Sequence, residues 1–136
     1  MTLQYSIFRP LAAFALLSCA IGQAHARVPT SGPDTADRAL GWIGETGAAS
    51  WYGAAYHGRR AADGSRFDQR QLTAAHPWLP FGTRVRVTLG NTGRSIIVVI
   101  TDRLYSSRRV VDLSHSAARQ LGIINQGVAT VSLSPA

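Results

Sequence analysis

Lysine is absent from the 136-residue sequence, cysteine occurs once, and no apolar stretch is long enough to cross a bilayer. The one thiol, Cys19, lies inside the apolar run 11–22. A run of that length suits the core of a signal peptide and falls short of the roughly 20 residues that a spanning helix needs. Arg9 precedes it and Ala24-His25-Ala26 follows, with the small-x-small form that signal peptidase reads. Residues 1–26 are therefore predicted to be a signal peptide removed before Arg27. A chain cut there carries no thiol, which excludes disulfides and cysteine-based metal sites. The alternative start is a lipid anchor at Cys19, because Leu16-Leu17-Ser18-Cys19 has the form of a lipoprotein cleavage box. No later apolar run exceeds the one around 95–100, so the expectation is a soluble, exported domain of the periplasm or cell envelope with no transmembrane segment.

Without lysine, all fourteen basic residues are arginine. Removal of residues 1–26 takes away Arg9 and no acid, leaving thirteen arginines against seven acids, a net charge of +6. Such a balance attracts polyanions, and export makes an anionic envelope polymer a better partner than nucleic acid, which is not expected. Only Arg59-Arg60 and Arg108-Arg109 are adjacent, so most of the charge is read as solvated surface.

Residues 27–43 are rich in Pro, Gly, Ser, Thr and Asp without an apolar period and read as a flexible spacer, with one folded domain over 44–136. There the strongest pattern has period two. Val85, Val87 and Leu89 alternate with Arg84, Arg86 and Thr88, which predicts a half-buried strand. Gly90-Asn91-Thr92-Gly93 supplies a turn, and the β-branched run 95–100 is expected to be a central strand paired back across it. Val110-Val111 and 128–133 read as two more strands. One helix is predicted, capped by Asp112 or Ser114, with Ala117, Ala118 and Leu121 on one face and Gly122 as the stop. Short strands, many turns and one short helix describe a mainly β protein, a small barrel.

The segments Ala49-Ser50-Trp51-Tyr52-Gly53, His57-Gly58-Arg59, Asp63-Gly64, Leu72-Thr73-Ala74-Ala75-His76-Pro77, and Leu79-Pro80-Phe81-Gly82-Thr83 follow one another in order. Gly93-Arg94-Ser95, Thr101-Asp102-Arg103 and Val111-Asp112-Leu113-Ser114 complete the series. Together, from about Gly47 to Leu133, they resemble the rare lipoprotein A family. That resemblance implies a six-stranded double-psi β-barrel, the barrel shared with expansins and barwin-like proteins. It also implies endolytic lytic transglycosylase activity on the glycan strands of peptidoglycan, which leaves 1,6-anhydro-N-acetylmuramic acid ends and needs no metal or organic cofactor. The protein is expected to act as a monomer.

The resemblance places the family's functional aspartate on Asp102, where partial desolvation at a strand end suits a carboxyl to proton transfer. It places an assisting histidine on His76, expected to open with Asp102 onto one groove. Arg103, beside the aspartate, is a substrate-binding candidate. Trp51 and Tyr52 alternate on a strand, so one is expected in the core and the other in a groove, and Tyr52 and Tyr56 are candidates to stack on sugar rings. Two departures stand out. The family has a glutamate eleven positions before the histidine, where this chain has Ser65, and Asp63 is the candidate displaced carboxylate. After Asp102-Arg103 the family continues Gly-Pro, where this chain has Leu104-Tyr105. Both departures favour the rival reading, a non-catalytic, expansin-like glycan-binding barrel.

Overall fold

The structure is a computed structural model that describes residues 38–136. The predicted signal peptide, Cys19 and the spacer up to residue 37 lie outside the described residues. Six strands follow in the chain: β1 (Glu45–Trp51), β2 (Thr73–His76), β3 (Arg84–Leu89), β4 (Ser95–Arg103), β5 (Arg109–Leu113) and β6 (Ala129–Pro135). They close in the order β1-β5-β2-β4-β3-β6, with β6 paired back on β1. β1 runs parallel to β5 and β2 parallel to β4, and the other neighbours are antiparallel. This is the six-stranded double-psi barrel that the resemblance implied.

Alternation explains which side of each strand is inside. Val85, Val87 and Leu89 on β3 face Val98 and Ile96 on β4 and Val131 and Leu133 on β6, all buried, while Arg84 and Arg86 stay in water. Full burial of each such Val or Leu is worth about 1.5–3 kcal/mol. β3 and β4 pair as the turn residues predict, with Val85 against Val98 and Thr88 against Ser95. β4 runs three residues beyond the expected end, to Arg103, because β2 supplies a parallel partner there. At the other side of the barrel β1 and β5 approach so closely that a Cβ on Gly47 would stand 2.5 Å from Val110 Cγ1.

The helix α1 (His115–Leu121) is capped by Ser114, whose Oγ accepts from Ala117 N at 3.2 Å. Gly122 ends it in the left-handed region, at φ +91°. Ala117, Ala118 and Leu121 are buried against the barrel. Of the two predicted caps, Asp112 is therefore free for another use.

The described end of the predicted flexible spacer is docked. Residues 38–40 form a helical turn, the Arg38 guanidinium lies 4.4 Å over the Trp78 ring, and Trp42 packs edge-on against both Trp78 and His76. One indole and one guanidinium supply the contacts that the surrounding polar composition hides. No helix among the described residues is long and apolar enough to cross a membrane.

Candidate functional site

A shift of register between Ala74 and Ala75 sets Ala75 opposite Asp102 on β4, and on its other side Ala75 faces Asp112 on β5. Val111 and Leu113 point into the barrel, so strand alternation turns Asp112 to the outer face. Two carboxylates thus share one outward row, separated by two interstrand spacings, roughly 9–10 Å between Cα atoms. They line a cleft of about 340 Å³ together with Tyr52, Tyr56, Arg103, Leu104, Tyr105 and Arg109. A larger hollow of about 510 Å³ lies elsewhere, between Leu89, Asn91, Gln126 and Thr130. It has no ionisable lining residue, so side-chain chemistry and not volume selects the smaller cleft.

The two aspartates differ in how they are held. Asp112 Oδ1 accepts from Ser50 Oγ at 2.7 Å and from Arg109 Nε at 2.8 Å, and its Oδ2 accepts from Arg109 Nη2 at 3.2 Å. That fork fixes the orientation of its carboxyl group against the Arg109 guanidinium. Asp102 Oδ1 accepts from the backbone N–H groups of Arg103, at 2.8 Å, and Ala62, at 3.0 Å. Oδ2 has no partner among the described residues, which leaves one oxygen of Asp102 for a ligand.

The Ala62 bond comes from a tight hairpin over the β4 end, in which Asp63 N also donates to Thr101 O at 3.1 Å. The Asp63 carboxylate turns away into its own loop, accepting from Ser65 N at 2.9 Å and Ser65 Oγ at 2.6 Å. Neither Asp63 nor Ser65 lines the cleft, and Asp63 is an Asx-turn residue that shapes the hairpin.

His76 does not share the groove. Its side chain is fully buried at the mouth of the barrel interior, one residue out of phase with Ala75, beneath Trp42 and Trp78. Nδ1 accepts from the N–H groups of Trp78, at 3.3 Å, and Leu79, at 3.1 Å, so the proton sits on Nε2, which donates to Glu45 Oε1 at 2.8 Å. Burial holds this imidazole below its ordinary pKa against the opposing pull of Glu45. The expected common opening with Asp102 is overturned by strand alternation, which sends neighbouring side chains to opposite sides. Arg103 is among the residues lining the cleft, but as the register partner of His76 it turns its guanidinium to that side, where Nη1 donates to Leu79 O at 2.8 Å and the group stacks 3.9 Å over Phe81.

Tyr52 lines the cleft and Trp51 packs against His115, which settles the alternation between those two rings. The Tyr52 ring lies against Phe67 and edge-on to Tyr56. Burial raises its phenol to about 12, and the nearby carboxylates add to the shift. The Thr73 hydroxyl alongside opposes it, although neither hydroxyl completes a well-formed hydrogen bond. Among the described residues no three His, Cys, Asp or Glu side chains gather to hold a metal ion.

The family profile described as lytic transglycolase matches residues 44–133, nearly the whole barrel. The chain belongs to this family. Among similar lytic transglycolases, the probable endolytic peptidoglycan transglycosylase RlpA of Synechocystis is 56% identical over 88 residues, covering 64% of this chain and 27% of that protein. The chain spans about a quarter to two fifths of the length of the curated relatives it matches. Of solved structures, the Streptomyces papain inhibitor superposes with a TM-score of 0.55 at 27% identity, over 68% of this chain and 94% of that one. A Clavibacter michiganensis expansin in complex with cellohexaose gives 0.56 at 21% identity, over 69% and 50%, a likeness of fold. The cleft of this lytic transglycolase barrel includes a residue that sequence reasoning missed. Asp112 is one of two alternative helix caps in the sequence, and its place between the buried Val111 and Leu113 marks it as outward-facing.

Proposed function

We propose that the chain is an endolytic peptidoglycan transglycosylase of the cell envelope, cleaving glycan strands in the cleft between β1 and β4. The observation that carries this reading is the pair of unequal carboxylates: Asp112 is locked by Arg109 and Ser50, whereas Asp102 keeps one oxygen unpartnered. A shared acid/base needs that freedom. Asp102 protonates the glycosidic oxygen as the bond to the muramoyl C1 breaks, and then takes the proton of the 6-hydroxyl as its oxygen attacks C1. The leaving hydroxyl keeps the first proton, Asp102 is reprotonated by the second, and no water is consumed. Asp112 stabilises positive charge developing at C1, and Arg103, Tyr52 and Tyr56 bind the strand. His76 acts as a positioning residue: its ring holds the Trp78–Leu79 turn, whose Leu79 carbonyl in turn holds Arg103. The names of the relatives support the substrate class.

The second reading is an expansin-like binding barrel, favoured by the Ser65–Asp63 bond, which places no third carboxylate in the cleft. Purified protein incubated with glycan strands lacking stem peptides separates the two. Release of fragments ending in 1,6-anhydro-N-acetylmuramic acid, abolished by Asp102→Asn with strand binding retained, is the expected result. Cosedimentation without release selects the binding barrel. Ser65→Glu gaining activity in that case marks a disabled relative of the enzymes.

A further inference from the structure

Tyr105 has no counterpart in the Gly-Pro pattern of the family, and its setting is unusual for so exposed an aromatic ring. It is 94% exposed yet lines the cleft of Asp102 and Asp112. The residues around it are held on both sides. Leu104 is buried, and its N–H donates to His76 O at 3.4 Å. Beyond the ring, Ser106 Oγ accepts from the N–H groups of both Arg108 and Arg109 at 3.2 Å. Arg109 is itself clamped to Asp112. A pinned backbone beneath a free ring presents an apolar face at little entropic cost, the arrangement that suits stacking on a planar or chair-shaped ligand.

The place of the ring in the fold says which part of a ligand it meets. Four adjacent strands, β1-β5-β2-β4, floor the cleft. Tyr56 follows the first of them and Tyr105 the last, while Asp112 stands on β5 and Asp102 on β4 itself, on either side of Ala75 of β2. Three interstrand spacings, roughly 14 Å, separate the outer strands, a span for more than one sugar ring. From this geometry we infer that Tyr105 is a specificity-determining residue that stacks on a hexosamine ring of the glycan strand next to the one over Asp102. It forms a subsite on the β4 side that complements Tyr56 on the β1 side. The inference rests on the reading of the cleft as a glycan site.

The test compares wild type, Tyr105→Ala, Tyr105→Phe and Tyr105→Trp in the full chain, using stem-peptide-free glycan strands and N-acetylglucosamine oligomers of two to six units as probes. Affinity and 1,6-anhydro release are both measured. Tyr105→Ala is expected to weaken binding of the longest oligomer about tenfold and of the disaccharide less than twofold, with thermal stability unchanged because the ring is exposed. Tyr105→Phe and Tyr105→Trp should restore wild-type affinity, since the face and not the hydroxyl makes the contact. In release assays the loss should fall on KM more than on kcat. Wild type that binds without cleaving, with the same pattern of variants, supports the subsite while overturning the enzymatic reading. Wild type that cleaves while Tyr105→Ala binds all lengths equally well overturns the subsite alone. Equal losses in Tyr105→Ala and Tyr105→Phe, or a wild type that binds none of the probes, overturn it as well.

Discussion

Asp102 and Asp112 flank Ala75 from opposite sides, one carrying an unpartnered oxygen and the other held in a fork by Arg109. Ala75, itself buried, stands between them in that row, so no large side chain divides the two carboxylates. Ala75→Leu should crowd the cleft floor at a cost of about 1–3 kcal/mol in stability and, if the cleft binds glycan, weaken strand binding beyond that cost, as denaturant unfolding and strand cosedimentation would show.

Breaking the fork separates stability from chemistry. Arg109→Ala strips Asp112 of its charged partner in a half-buried place, at a cost of about 1–2 kcal/mol in denaturant unfolding. Asp112→Asn keeps the shape and the Ser50 contact, so it should cost less stability. If Asp112 stabilises the charge at C1, Asp112→Asn should still slow release about 100-fold with little change in binding.

His76 makes the folded state sensitive to mild acid. Its folded pKa lies below the ordinary value of about 6.5, so the unfolded chain binds the proton first. The stability gained from keeping the ring neutral is complete above about pH 6.5 and is lost as pH falls towards the folded pKa. Urea unfolding between pH 7 and pH 5 should show this decline, and His76→Gln should flatten it. An unchanged slope in the variant would assign the decline to other groups.

The Tyr52 hydroxyl is buried without a well-formed hydrogen bond. Tyr52→Phe should therefore be neutral or stabilising by up to about 1 kcal/mol, because it removes an unsatisfied polar atom and keeps the ring against Phe67. In wild type, one tyrosine should titrate near pH 12 by ultraviolet absorbance, and that component should vanish in the variant.

Ser114 joins three segments: its Oγ donates to Gln71 O at 2.6 Å, accepts from Ala117 N, and is fully buried. Ser114→Ala should cost about 2 kcal/mol, the sum of a lost cap and an unsatisfied carbonyl, read as a lowered thermal midpoint.

The sequence was most legible where a single period dominates. The β3–β4 hairpin announces itself through Val85, Val87 and Leu89 and the turn at Gly90–Gly93, and α1 through Ser114 and Gly122. β2 carries no such signal. Its Thr-Ala-Ala-His is short, and Ala74 and Ala75 are buried on opposite sides, so nothing alternates. That silence concealed the register of His76, which the motif places next to Asp102 in the sheet but which the pleat sends inside. Asp102 was legible through the resemblance carried by Thr101-Asp102-Arg103, which follows the β-branched run 95–100. Asp112 was obscured by an equally good local use, capping a helix, and only the neighbouring strand decides between the two.

The crossed parallel pairs also govern when the cleft comes into being. Ser50 meets Asp112 across 62 positions of chain, and Ala62 meets Asp102 across 40. Loops of that length close slowly, so the local β3–β4 hairpin should form well before any part of the cleft. The cleft should appear late, and a chain interrupted between β1 and β5 should keep the hairpin and lose the row of Asp102, Ala75 and Asp112.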